Sequence, residues 1–154
     1  MRLSEILTPD RIRVPLAARD KEGVLRELVE FLLLGNGHQV EDVLSAILER
    51  ERRFPTGIGY GVAVPHARTP ALLHLGAVVG TTPAAVRYET VDGEPVRLFF
   101  LLAGPESAGG LHVKALSRIS RLVRQEPVRQ RLLAATTSAE FYRTLCEAEE
   151  SYRT

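Results

Sequence analysis

Long apolar runs are missing from this chain, and with them the means to cross a bilayer: no stretch approaches the ~20 consecutive apolar residues of a membrane helix. Nor does it open with the basic-then-apolar pattern of a secretory signal, so export is not predicted. There is a single cysteine, Cys146, which excludes an internal disulfide and suits a reducing, cytoplasmic setting. Its apolar helical surroundings predict a buried, inert thiol. Charge of one sign is missing too. Twenty Lys and Arg face 19 Asp and Glu, and a net charge of +1 excludes the strong field that would make nucleic acid the main partner.

What remains is ordinary globular composition, 45% hydrophobic and 25% charged, in 154 residues. That length predicts one domain, 1–154, able to bury a core without staples. Asp20 is placed to cap a helix whose stripe is Val24, Leu25, Leu28, Val29 and Leu32, with Gly35 to end it. A second helix is predicted from Glu41 to Arg50, burying Val43, Leu44, Ile47 and Leu48. Strands are predicted at Val62–Val64, at Gly76–Thr81, as a short edge piece at Val86–Tyr88, and, after the Asp92-Gly93 turn, at the apolar run Val96–Ala103. The pattern then turns helical. Leu111, Leu116, Ile119, Leu122 and Val123 recur at helical spacing, Pro127 starts a short helix, and Thr137-Ser138-Ala139-Glu140 has the form of a capping box. Helices, strands and helices in that order predict an α/β (α+β) layered domain with helices packed around a sheet.

The segment Thr56-Gly57-Ile58-Gly59-Tyr60-Gly61-Val62-Ala63-Val64-Pro65-His66 is the most informative in the chain. Its glycines permit positive φ and close backbone approach. Pro65 stiffens the backbone and is expected to end the strand ladder, leaving His66 at a strand terminus. A histidine so placed serves as a satisfied structural residue or as a nucleophile. The glycine spacing is G-x-G-x-G ahead of a strand, not G-x-G-x-x-G opening a helix, and no Lys-Ser/Thr follows; neither nucleotide-binding fingerprint is present.

Two further residues invite attention. His112 follows Gly109-Gly110 at the start of the predicted long helix, where unpaired N–H groups and the helix dipole favour an anion and disfavour an imidazolium. It either faces water or helps hold a phosphoryl oxygen. Arg50, at the expected end of the second helix, either complements the dipole or clamps an anion with its planar fork. His38 and His74 read as surface loop residues, and four histidines do not by number make a metal cluster.

Taken together, Arg50-Glu51, the Thr56–His66 segment, Asp92-Gly93-Glu94-Pro95-Val96 and His112-x-x-x-Leu116 resemble the type-2 enzyme IIA domains of the bacterial phosphoenolpyruvate-dependent phosphotransferase system. That family comprises the fructose and mannitol IIA domains and the nitrogen-regulatory IIA proteins, and the likeness runs over essentially the whole chain. It implies a mixed β-sheet flanked by helices on both sides, and a phosphotransferase that relays phosphate through a phosphohistidine. The residue matching His66 accepts the phosphoryl group from an HPr-type carrier, that matching His112 helps hold it, and that matching Arg50 offsets its charge. Arg68, two residues past His66, is a further candidate. No metal and no cofactor is implied, because the group moves directly between histidines.

The resemblance leaves the role open between a nitrogen-regulatory IIA protein acting on target proteins, a sugar-specific IIA component serving a IIB domain, and a binding module of the same fold without transfer activity. The trio His66, His112 and Arg50 argues against the last. The absence of fused domains in the 154 residues, and the opening Leu3-Ser4-Glu5-Ile6-Leu7, favour the first. Lys114, Arg118, Arg121 and Gln125 make a basic row on the helix after His112, read as a solvated face or as the rim of a docking site for an acidic partner. Oligomeric state is not legible.

Overall fold

The computed structural model describes residues 1–34 and 37–151, with no description of the His38 side chain. The expected helix stop at Gly35 and the expected surface position of His38 therefore lie outside the described residues.

In chain order the elements are α1 (Leu3–Ile6), β1 (Ile12–Arg13), α2 (Lys21–Leu32), α3 (Val40–Arg53), β2 (Gly57–Gly59), β3 (Val62–Ala63), β4 (His66–Arg68), β5 (Gly76–Val86), β6 (Val96–Gly104), α4 (Gly109–Val123), α5 (Glu126–Ala134) and α6 (Ser138–Ser151). The six strands form one sheet in the order β1-β5-β6-β3-β2, and β4 also pairs with β6. The sheet is mixed. β5 and β2 run antiparallel to their neighbours β6 and β3, whereas β1 is parallel to β5, and β3 and β4 are parallel to β6.

Strand β6 is the centre, buried along nearly its whole length. A continuous apolar run is the pattern of a strand covered on both faces. Its side chains alternate between two cores. Leu98, Phe100 and Leu102 join α1, α4, α5 and α6, while Phe99, Leu101 and Ala103 join α2 and α3. The α/β layering with helices on both sides is thus as expected.

Several local expectations are corrected. β5 runs unbroken through Val86, so Val86–Tyr88 is no separate edge piece; a register shift between Thr81 and Val86 carries the strand on, and Val86 pairs with Val96. Helix α3 ends at Arg53 rather than Arg50, its last turn enriched in Arg50, Arg52 and Arg53, as the dipole favours. Leu48 on that helix is only half-buried. On α4 the buried stripe is His112, Ala115, Ile119, Leu122 and Val123; Leu111 faces out. Gln125 is not on that helix but occupies the N-cap position of α5, without a side-chain capping bond. Cys146 is half-buried rather than buried.

The capping box at α6 is present in altered form. The Glu140 N–H donates to Thr137 Oγ1 at 3.1 Å, but the Glu140 carboxylate reaches back to Thr136 rather than to Thr137. No helix among the described residues is long and apolar enough to cross a membrane.

Candidate functional site

The site is built where α3, the glycine segment and the start of α4 converge on the end of β6. Between β2 and β3 the chain reverses through three consecutive positive-φ residues, Gly59 (+92°), Tyr60 (+62°) and Gly61 (+74°). Two glycines make that turn cheap, and Tyr60 tolerates it with its N–H bound to the Asp92 carboxylate at 3.1 Å. Gly57 answers a different need: a Cβ there would lie 2.2 Å from Thr90 and 2.5 Å from the Glu89 carbonyl. The Val64 N–H then closes the pair by donating to the Thr56 carbonyl at 3.0 Å.

Pro65 does not end the ladder, contrary to expectation. It lacks an N–H, but its carbonyl accepts from the Leu102 N–H at 3.0 Å, so the chain rejoins β6 and His66 opens β4 opposite Leu102. His66 is thereby fixed by strand pairing on both sides of its Cα. Its ring is fixed as well, because Nδ1 lies 2.8 Å from the Val64 carbonyl oxygen. A carbonyl only accepts, so Nδ1 carries the proton and Nε2 is left with the lone pair.

His112 stands beside it. The two ring centroids are 5.2 Å apart with planes inclined at 67°. His112 is only 3% exposed, and neither of its ring nitrogens has a hydrogen-bond partner. A buried polar ring without partners is costly, which makes His112 unusual among the buried polar residues. Burial, then the neighbouring His66, Arg68 and Arg50, pull its pKa down to about 4. Burial is also the largest cause depressing the His66 pKa; Arg50 and Arg68 add to it, while the Val64 hydrogen bond and Glu51 oppose. Both imidazoles are therefore neutral at neutral pH.

Arg50 and Arg68 complete the positive surroundings. Along with His66, His112, Arg53 and Glu106 they line a cleft of about 420 Å³. Arg50 is oriented by donating to the Phe54 carbonyl at 2.6 Å, and its guanidinium stacks near the Phe54 ring. Arg68 is held by Glu106 at 3.1 Å and lies over Gly109 at the start of α4. Two guanidiniums and a helix N-terminus around a neutral imidazole form a site whose charge suits an anion. Among the described residues no group of acidic, His or Cys side chains is placed to hold a metal. His74 is exposed and removed from this cleft, lining another one with Leu73 and Leu111.

Glu51 has a role that the sequence did not announce. One residue past Arg50 on the helix, it points the other way, into the protein, and is almost fully buried. Its carboxylate accepts the Thr56 N–H at 3.0 Å and the Thr56 hydroxyl at 2.5 Å, and pairs with Lys21 at 3.2 Å. The Tyr88 hydroxyl, 3.0 Å from the Thr56 hydroxyl, extends the network, and burial followed by Glu51 pushes its pKa far up. A buried carboxylate needs such partners. The available signal was the pairing of an acid with a threonine five residues on, just before the glycines.

Comparison with known proteins gives this geometry its context. The family model for the phosphoenolpyruvate-dependent sugar phosphotransferase system, EIIA 2, matches residues 5–148. The chain belongs to that family. It is 34% identical over 145 residues to a nitrogen regulatory protein of Bradyrhizobium diazoefficiens, covering 94% of this chain and 95% of the relative. With the fructose-specific EIIABC component of Bacillus subtilis it shares 38% identity over 136 residues, 88% of this chain but only 21% of that longer protein. In three dimensions it matches the nitrogen regulatory protein IIA-Ntr of Neisseria meningitidis, with a TM-score of 0.85 at 29% identity over 93% of this chain and 98% of the other. The family is one of phosphotransfer between proteins, in agreement with the resemblance seen in the motifs.

Proposed function

We propose that this type-2 IIA protein is a phosphohistidine relay in which Nε2 of His66 accepts a phosphoryl group from the phosphohistidine of an HPr-type carrier. The bond between phosphorus and the donor imidazole, whose other ring nitrogen carries a proton, breaks as the bond to Nε2 forms; the donor ring leaves as neutral imidazole and His66 becomes the phosphorylated imidazolium. The proton stays on His66 Nδ1, hydrogen-bonded to the Val64 carbonyl oxygen, throughout. The transition state is loose, with its charge spread over three equatorial oxygens. The work of the site is therefore alignment and charge compensation, for which Arg50, Arg68 and the α4 N-terminus are suited. His112, neutral and unpartnered, is the side chain that gains a hydrogen-bond partner when the phosphoryl group arrives.

The observation that carries this reading is the 2.8 Å contact between His66 Nδ1 and the Val64 carbonyl, because it selects the nucleophilic nitrogen before any donor binds. The test is incubation with phosphoenolpyruvate, enzyme I and HPr, followed by location of the acid-labile phosphate by mass spectrometry. Label on His66 is expected; label elsewhere or none rejects the reading.

For the physiological role, the match to a nitrogen regulatory protein over nearly the full length of both chains favours a regulatory IIA whose phosphorylation state is read by target proteins. The identity to the fructose-specific component supports a second reading, transfer onward to a IIB domain. Rapid loss of phosphate from His66 to a IIB domain of the same genome, and to no regulatory target, would favour the second.

A further inference from the structure

The cleft around His66 suits negative charge, and yet a carboxylate lines it. Among the described residues its walls carry three arginines, Arg50, Arg53 and Arg68, and one acid, Glu106. Glu106 opens the short 3-10 turn Glu106–Ala108 that leads into α4, and its Oε2 meets Arg68 Nη1 at 3.1 Å. Both side chains are exposed, Arg68 at 43% and Glu106 at 81%. An exposed ion pair of this kind stabilises a fold little, so the pair is not a fastening of the core.

Arg68 is coupled to the His66 ring by the strand itself. It follows His66 by two residues in β4, and side chains two apart on a strand point to the same face. Ala67 between them turns the other way, into the core shared with α2 and α3. The Arg68 charge acts on both imidazoles and lowers the pKa of each. Its guanidinium also lies over Gly109, the first residue of α4, which keeps it at the mouth of the cleft. One arm of that planar fork is already given to Glu106.

We propose that Glu106 is a positioning residue that competes with the phosphoryl group for Arg68, and so keeps phosphate on His66 easy to pass on. This inference rests on the relay reading. When phosphorus moves from the donor imidazole to Nε2 of His66, one P–N bond breaks, one forms, and about two negative charges enter the cleft. Arg68 then faces two anions, and what it gives to the phosphoryl oxygens is taken from, or shared with, Glu106. The carboxylate also opposes the phosphoryl charge. Both effects raise the energy of the phosphorylated form relative to the free one. A relay whose arginines held phosphate unopposed would accept it well and release it slowly, because stabilisation of the intermediate adds to the barrier of the next transfer. Glu106 offsets that stabilisation.

The test is the equilibrium constant for phosphate exchange between the full chain and the HPr-type carrier encoded in the same genome, read by ³¹P NMR once enzyme I and phosphoenolpyruvate have charged the carrier and been removed. That constant is blind to docking: a change in how the two proteins meet alters forward and reverse rates alike, whereas a change in the balance between free and phosphorylated cleft alters their ratio. Glu106→Gln, which keeps the shape and removes the charge, is expected to shift the constant about fivefold toward phosphorylated His66 at low salt, the scale of one exposed charge pair, and less as salt rises. Glu106→Asp, which restores the charge, returns it toward the wild-type value. Arg68→Gln is expected to shift the constant about tenfold the other way. Without Arg68 to hold it the exposed carboxylate turns to water, so adding Glu106→Gln to Arg68→Gln changes the constant by less than about twofold.

A constant that is unchanged in Glu106→Gln, or shifted toward the carrier, overturns the proposal, whether or not the two rates fall together. So does a full-sized shift when Glu106→Gln is added to Arg68→Gln, since the carboxylate would then act without Arg68. The thermal midpoint of Glu106→Gln is expected to stay at the wild-type value, as suits an exposed pair; a large fall with an unmoved constant makes Glu106 a structural residue instead. If the charged carrier leaves no label on His66 of the wild type, it is the relay reading itself that fails.

Discussion

Nδ1 of His66 is bonded to the backbone carbonyl of Val64, two residues earlier in the same chain, at 2.8 Å. The imidazole thus takes its tautomer from its own backbone rather than from a neighbouring carboxylate. Val64 is in turn fixed by Thr56, and Thr56 by the buried Glu51. Glu51, one residue from Arg50, anchors the segment that presents His66 while Arg50 faces the cleft.

Replacing Glu51 by Gln keeps the shape but removes the charge that Thr56 and Lys21 share. Breaking a buried hydrogen-bonded ion pair at one partner costs on the order of 3 kcal/mol, which in a chain of this size is a drop in Tm of about 10 °C. Because the glycine segment then loosens, acceptance at His66 should slow beyond the loss of folded protein. A thermal melt paired with a transfer assay below the melt checks this. An unchanged Tm would mean that the network contributes nothing.

His66→Ala abolishes phosphate uptake from a phosphorylated carrier, and His112→Ala leaves uptake measurable while slowing onward transfer by about 10²-fold, the usual cost of losing one oriented group beside developing charge. Quench-flow with labelled phosphate separates the two steps. Wild-type onward rates in the His112 variant would reduce that ring to packing.

Arg50→Ala slows acceptance about tenfold or more through the lost guanidinium. In the fold it loses the bond to the Phe54 carbonyl, worth about 1 kcal/mol, and the weak contact with the Phe54 ring, so Tm should move by no more than about 6 °C. A large fall in Tm with unchanged transfer would reverse the assignment.

The pH dependence follows from the depressed histidines. His112 titrates near 4 when folded and near 6.5 when unfolded. Between those values the unfolded chain binds a proton that the folded one refuses, so stability is full above about pH 6.5 and falls as pH drops toward 4. The loss amounts to on the order of 3 kcal/mol. Denaturation midpoints should decline across that window in the wild type and less steeply in His112→Gln. Acceptance at His66 should hold its plateau down to a pH below 6.5, since its neutral form persists there. Titration of the two rings by NMR reads both.

Much of this was legible in the chain. The α2 stripe and the apolar length of β6 each reflect one local rule, and each held. What was not legible depends on long-range closure. Pro65 reads as a ladder stop because its missing N–H is local knowledge, whereas the acceptor role of its carbonyl depends on Leu102, far along the chain. The two-residue β1 carries too little pattern to be seen, and is made by pairing with β5. Glu51 reads as a surface acid until the fold supplies Thr56 and Lys21. His112 was placed correctly at a helix start, but its burial beside the His66 ring comes from the tertiary fold.

The central claim is tested most directly by NMR of the ¹⁵N-labelled protein before and after reaction with a phosphorylated carrier. The account predicts that free His66 is the Nδ1–H tautomer and that phosphorus then couples to its Nε2. Phosphorus bound at Nδ1 of His66, or on His112, would contradict it.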